Sequence, residues 1–491
     1  MEHCPTRLAL MSAGSAPAMP PASLDHAGPL PEELRTYAEA RVPRYTSYPT
    51  AVQFHDGVTA ADYAGWLADV GQDTPLSLYL HVPFCHQLCW YCGCHTNITR
   101  DTSRISSYAS LLIREVALVR AAMIGQQHVG ACKPGPVHHI HLGGGSPNAL
   151  APNDLLAVIG AIRENFMIAS SAEIACELDP RHLTDCFMTA LAGAGINRVS
   201  LGVQDLNPII QARINRIQPF IEVAQAVYGL RRRGIEHINL DLMYGLPGQT
   251  VDHVLSTIDQ ALTLKPNRFA VFGYAHVPWF KKHQKMIETE EPNGGLPGTE
   301  ERLAQAEAAR EAITAAGYVE IGMDHYALPD DPMAHAWVRG NRQRNFQGFT
   351  TDDAGTLIGF GASSISCTDF GYAQNNPHVG DYRKAVEAGQ LPVVRGTALS
   401  AEDRLRRRII SDIMCEKIIN LASICRQHGF PAGHFSNLRP VLSELADDGL
   451  ILYSGAQLTL TKQGRRFSRN VAAIFDAYLD PTGTGKHSTA S

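Results

Sequence analysis

Cys85-His86-Gln87-Leu88-Cys89-Trp90-Tyr91-Cys92-Gly93-Cys94 holds four thiols within ten positions. The first three are spaced C-x₃-C-x₂-C. A loop this short can wrap three thiolates around one face of a cubane iron–sulfur cluster, whose irons ordinarily take one Cys each. Three ligands leave one iron open, and an open metal position is where a substrate or cofactor binds. The competing reading is structural zinc, which pairs C-x₂-C with a second such pair or with His residues farther along. No second pair follows here, and the x₃ gap is unusual for zinc. Cys85, Cys89 and Cys92 are therefore the candidate metal ligands, and a [4Fe–4S] cluster the candidate cofactor.

Outward from this loop the chain alternates between two periodicities. Strand-like apolar runs are expected at 76–82, 137–142, 173–178, 198–203, 237–243 and 268–274. Amphipathic helices are expected at 105–123, 153–166, 186–194, 221–233, 251–264 and 300–316. Six β-α units in sequence imply a parallel sheet buried by helices, an α/β fold. In such folds chemistry sits on loops at the C-terminal ends of strands. The Cys loop follows the first strand. Gly143-Gly144-Gly145-Ser146-Pro147 follows the second, where glycines would let the backbone approach a ligand and expose N–H donors. Cys176-Glu177-Leu178-Asp179-Pro180 ends the third, and a carboxylate at a buried strand end needs a partner.

With Tyr79-Leu-His81-Val-Pro83-Phe84 before the first Cys, and Cys94 after the third, the chain resembles the radical S-adenosylmethionine (SAM) superfamily. Within it the chain is similar to the oxygen-independent coproporphyrinogen III dehydrogenases, the anaerobic enzymes of haem biosynthesis. Arg44-Tyr45-Thr46-Ser47-Tyr48-Pro49-Thr50 is similar to a segment of that family thought to lie across the active site. The resemblance implies a partial (β/α)6 TIM-like barrel over 76–370. It also implies an N-terminal substrate-covering segment at 31–75 and a winged-helix-like α+β domain at 371–480. Tyr79, Tyr91 and Ile365 would then line a first SAM. Gly144, Gly145 and Ser146 would meet its amino group, with Ser146 where the family commonly has Thr. Glu177 would take its ribose. Gln204, Arg216 and Asp241 would contact a second SAM, and Arg suits its carboxylate through a bidentate fork. Ala275, in Tyr274-Ala275-His276, would supply a backbone contact. Each also has a plainer reading, as packed aromatic, turn or internal ion pair. Cys94 and Tyr79 are the candidate catalytic residues; Cys94 is read as a free thiol, because a fourth ligand would occupy the iron SAM needs.

The implied reaction is oxidative decarboxylation of two propionates of coproporphyrinogen III to vinyl groups, with flavodoxin or ferredoxin as electron donor and two SAM per chain. Haem-chaperone relatives share the three-Cys loop but generally lack the fourth Cys and the Arg44–Thr50 segment. A haem-degrading radical SAM methyltransferase is the other rival. Polar and aromatic clusters at 322–326 and 344–351 match signatures near the substrate.

From about Ser400 the pattern changes to a helix at 404–414, another at 438–446, and strands at 450–453 and 457–460. Lys462, Arg465, Arg466 and Arg469 read as a solvated helix face rather than a DNA patch. The Ala/Pro/Ser-rich residues 1–30 read as a disordered tail, with Met11 or Met19 as alternative starts, and 481–491 as a second tail. A net charge of −6 over 491 residues points to neither nucleic acid nor an anionic membrane. No apolar run is long enough to span a bilayer. Eleven cysteines, an odd count with four clustered, fit a reducing cytoplasm rather than a disulfide framework. A monomer is expected.

Overall fold

Strand β1 (Leu76–Val82) alternates Leu76, Leu78, Leu80 and Val82 with Ser77, Tyr79 and His81, and it is buried on both faces. Leu76, Leu78 and Leu80 are at most 1% exposed, a burial at which truncation to Ala typically costs about 2–5 kcal/mol. Its neighbours follow in chain order: β2 (Val137–Gly144), β3 (Ile168–Leu178), β4 (Arg198–Gln204), β5 (His237–Tyr244) and β6 (Arg268–Gly273). All five steps from β1 to β6 are parallel. The connections run through helices Thr102–Ile124, Pro152–Asn165, Asp185–Gly193, Phe220–Arg231 and Val251–Thr263. The computed structural model describes residues 32–124, 133–288, 295–346 and 348–479, so both expected tails lie outside the described residues.

The sheet continues beyond the six expected strands. On one side lie β7 (Val319–Gly322) and β8 (His325–Ala327); on the other, β9 (Thr356–Phe360), β10 (Ile365–Cys367), β11 (Gly371–Asn375) and β12 (Val393–Ala398). The order is β12-β11-β10-β9-β1-β2-β3-β4-β5-β6-β8-β7, an open sheet whose β12 edge is bridged by His55 through Gly396. β9 pairs parallel to β1, and the remaining additions are antiparallel. The sheet therefore runs past residue 370, where a boundary was expected, to Ala398.

A second apolar core begins with helix Ala401–Met414, whose Ser400 and Asp403 form a capping box. Helices Leu421–Gln427 and Arg439–Asp447 and strands Ile451–Ser454 and Gln457–Leu460 complete it. That order follows the expected helix-then-hairpin pattern. Leu34, Ala38, Tyr45 and Tyr48 of the N-terminal segment are buried in this core. The basic run is a solvated face only in part. Lys462 and Arg466 are exposed, whereas Arg465 pairs with Glu416 and Arg469 is buried.

Candidate active site

Alternation along the strands puts one polar residue from each on a common face. Tyr79 and His141 sit opposite one another in the β1–β2 register, and their rings stack at 5.9 Å. The Tyr79 hydroxyl lies 3.1 Å from His81 Nδ1. His141 Nε2 lies 2.9 Å from Glu177 Oε1, and the Gly144 N–H donates to Glu177 Oε2 at 3.3 Å. Burial alone would raise the Glu177 carboxyl, but these contacts hold it below the usual range. Asp241 accepts from Ser200 Oγ and Asn239 Nδ2, each at 2.7 Å. Burial outweighs those bonds and pushes it up to about 7. Burial also pushes His81 down to about 4, so its ring is neutral.

The Cys loop lies over this layer. Thr96 donates its hydroxyl to Cys85 Sγ at 3.1 Å, and the Cys94 N–H donates to Cys92 Sγ at 3.4 Å. The Cys94 side chain and N–H hold the Cys92 thiol down at about 6. Two guanidiniums point at Cys89 Sγ, Arg216 Nη1 at 3.4 Å and Arg181 Nη2 at 3.5 Å. Asp179 binds both arginines, and although burial works against it, they bring it down to about 2. Cations and hydroxyl donors aimed at sulfur stabilise thiolates, and hydrogen bonds to the sulfurs tune an anionic cluster. The residues thus fit an iron–sulfur cluster held by Cys85, Cys89 and Cys92. Among the described residues no three His, Cys, Asp or Glu side chains converge on a single metal ion.

The glycine run works differently from the expectation. The Gly145 and Ser146 N–H groups donate to Val82 O and Phe84 O at 2.8 Å, and the Gly144 N–H goes to Glu177. Those donors tie β2 to the Cys loop instead of facing a ligand. A Cβ at Gly144, where φ is +109°, would sit 2.5 Å from His81 Cε1, and one at Gly143 would sit 2.8 Å from Glu177 Oε2. The missing side chains make room for the polar layer itself. Ser146 places its hydroxyl 3.8 Å from Cys85 Sγ, with the thiol as donor.

Gln204, Arg216 and Asp241 are brought together around Gly202. Asp241 faces it in the β4–β5 register, and a Cβ there would meet Gln204 Nε2 at 3.0 Å and Arg216 Nη2 at 3.2 Å. Gln204 itself has φ of +68°, a conformation uncommon for a residue with a side chain. Tyr91 is anchored through its carbonyl by Gln284 Nε2 at 2.9 Å, which also reaches Ala275 O at 3.3 Å. The Ile365 backbone packs on Gly359, the register partner of Tyr79. Cys94 is exposed, and its carbonyl accepts from Lys281 Nζ at 2.9 Å. His81, His141, Ser200, Arg181 and Gln284 were not singled out from sequence. The first three were findable, because each sits between apolar residues that point to the opposite face of its strand. Arg181 and Gln284 depend on contacts between distant segments.

The Radical SAM superfamily description matches residues 79–261. An oxygen-independent coproporphyrinogen III oxidase of Bradyrhizobium diazoefficiens is 47% identical over 93% of this chain and 98% of its own length. Its counterpart from Pseudomonas aeruginosa is 38% identical over 89% of this chain and 93% of its own. Among solved structures, coproporphyrinogen III oxidase of Escherichia coli, described as a radical SAM enzyme, aligns with a TM-score of 0.82 at 33% identity, covering 90% of this chain and all of that one.

Proposed function

The chain belongs to the oxygen-independent coproporphyrinogen III oxidase family of the radical SAM superfamily, and from that membership we propose how its site works. The protein is an oxidoreductase of haem biosynthesis that converts two propionates of coproporphyrinogen III to vinyl groups, giving protoporphyrinogen IX. Each conversion removes one hydrogen from the propionate β-carbon, releases the carboxylate as CO₂ and passes one electron to an acceptor. When bound, the cluster and SAM supply the 5′-deoxyadenosyl radical that takes the hydrogen.

The residues divide the remaining work. Cys85, Cys89 and Cys92 hold the cluster, and Arg181 and Arg216 offset its negative charge. Tyr79, Tyr91 and Ile365 flank the first SAM, whose ammonium is met by Ser146 Oγ and the carbonyls of Gly144 and Gly145. Glu177, kept ionised by His141, accepts from the ribose hydroxyls. Gln204, Asp241 and the far side of Arg216 face a second SAM, and Ala275 offers a backbone contact. Cys94 is a free thiol that takes part in proton or electron transfer near the substrate radical, with Tyr79 beside it. The segment at 44–50 excludes water from the strand ends. A reduced flavodoxin or ferredoxin delivers electrons to a cytoplasmic monomer.

The carrying observation is the convergence of Arg181 and Arg216 on Cys89 directly above the polar layer. The test is anaerobic incubation of the reconstituted protein with SAM, reductant and either coproporphyrinogen III or haem. Divinyl product from the first and unchanged haem from the second are expected. Haem cleavage with coproporphyrinogen untouched would overturn the reading in favour of the haem-degrading rival.

A further inference from the structure

We propose that the turn Trp279-Phe280-Lys281-Lys282 is a docking surface for the tetrapyrrole substrate, an inference that rests on the function above. The turn lies a few residues past the end of β6. Phe280 is 74% exposed and Trp279 46%. Single apolar residues on a surface are ordinary, but adjacent large aromatics mark a place of recognition. A slack loop does not account for them, because the turn is closed by its own hydrogen bonds. The Phe280 and Lys281 N–H groups both donate to Val277 O, at 2.9 and 2.8 Å, and Gln284 N donates to Lys281 O at 2.9 Å. Gln284 Oε1 in turn accepts from Val277 N at 2.6 Å. The chain thus holds two rings outward on a rigid support.

The support is fastened to the Cys loop. Lys281 Nζ donates to Cys94 O at 2.9 Å, His283 Nε2 lies 2.8 Å from Cys92 O, and Gln284 Nε2 donates to Tyr91 O at 2.9 Å. On the other side stands the N-terminal segment. The Arg41 guanidinium lies 5.9 Å from the centre of the Trp279 ring, and Arg44 Nη2 donates to Gly273 O at the end of β6. The two rings therefore sit between the loop that would hold the cluster and the segment that reaches the strand ends. Cations accompany them. Lys281 Nζ is 5.2 Å from the centre of the Phe280 ring, and Lys282 and Arg41 are exposed. Coproporphyrinogen III carries the matching pair of properties. Its four methyl-bearing pyrroles gain by leaving water against an aromatic face, and its four propionates pair with ammonium and guanidinium groups. Position favours this ligand over a membrane or a protein partner. The turn bonds three backbone carbonyls of the Cys loop, so its occupant lies beside the reacting centre.

The experiment titrates the full-length, cluster-loaded protein anaerobically with coproporphyrin III and with its tetramethyl ester, read by porphyrin fluorescence, alongside steady-state kinetics with coproporphyrinogen III. The variants are Phe280→Ala, Trp279→Ala, Trp279→Phe and Lys282→Gln. Leu452→Ala, at a 67% exposed position in the C-terminal core, is the control. Each aromatic truncation should weaken both porphyrins about 5- to 20-fold, as expected for loss of one ring-on-ring contact. KM for coproporphyrinogen III should rise by a similar factor while kcat and iron content stay near wild type. Trp279→Phe should recover most of the affinity. Lys282→Gln should weaken the tetracarboxylate and spare the ester, and Leu452→Ala should match wild type. Divinyl product from the wild type, with affinity and KM unchanged in both aromatic truncations, would overturn the docking surface alone. So would sedimentation of the wild type with phosphatidylglycerol vesicles that is lost in Phe280→Ala while its porphyrin affinity is kept, since the rings would then serve a membrane. Absence of divinyl product from the wild type would overturn the functional reading beneath it.

Discussion

Cys94 differs from its three neighbours in what surrounds it. Cys85 and Cys89 each receive side-chain donors on sulfur, whereas Cys94 presents its own N–H to Cys92 and remains exposed. Serine at Cys85, Cys89 or Cys92 should abolish the brown colour and iron content of anaerobically purified protein. Serine at Cys94 should keep the cluster spectrum while vinyl formation falls sharply; iron loss in that variant would make it a ligand. Arg216 calls for a more careful substitution than sequence alone suggests. It is a buried partner of Asp179, and truncating one member of a buried ion pair typically costs about 3–5 kcal/mol. Asp241→Asn is the cleaner probe of the second SAM. Equilibrium dialysis should give two SAM per wild-type chain and about one in the variant. The proposed cluster ligands were readable from spacing because cluster chemistry constrains that spacing. Arg181 was not, since nothing local to Pro180-Arg181-His182 says that its guanidinium will meet a thiol 92 positions away.

Helix Thr102–Ile124 shows how an element is locked in place by one residue. Glu115 is 1% exposed and accepts from Gly361 N at 2.7 Å, Asn375 Nδ2 at 2.6 Å and Tyr382 Oη at 2.7 Å. These reach the loop after β9, strand β11 and helix Val379–Glu387. Glu115→Ala leaves three buried groups without their acceptor and should cost about 3 kcal/mol or more by urea denaturation. Burial raises the carboxyl to about 7 from an ordinary 4.5, so the folded state holds its proton where the unfolded chain has lost it. Its contribution to stability is therefore full below about pH 4.5 and is lost as pH climbs to about 7. The permanently neutral Glu115→Gln should flatten that part of the pH–stability curve. The six parallel strands were legible because each is six residues or more with apolar residues recurring along it, followed by a helical pattern. β9 to β11 were not. They are three to five residues long, and their glycines read equally well as a ligand loop.

Across the whole molecule, the N-terminal segment joins the two cores. Arg44 touches β6, while Tyr45 and Tyr48 are buried beside the C-terminal helices. Tyr45 Oη donates to Asp476, Tyr48 Oη accepts from Ala477 N, and Tyr372 Oη donates to Tyr48 O. Tyr48→Ala should cost about 3–5 kcal/mol, as for large aromatic truncations, and should expose the 44–50 stretch to protease before the barrel is cut. The family resemblance implied that this segment lies near the active site but did not reveal that the C-terminal core anchors it. That anchoring needs Tyr45 to meet Asp476 across 431 residues. In the proposed function this scaffold delivers a radical to a propionate. Coproporphyrinogen III deuterated at the propionate β-carbons tests this most directly. The 5′-deoxyadenosine recovered after anaerobic turnover is expected to carry deuterium, with divinyl product accumulating alongside it. Unlabelled 5′-deoxyadenosine alongside divinyl product would contradict it.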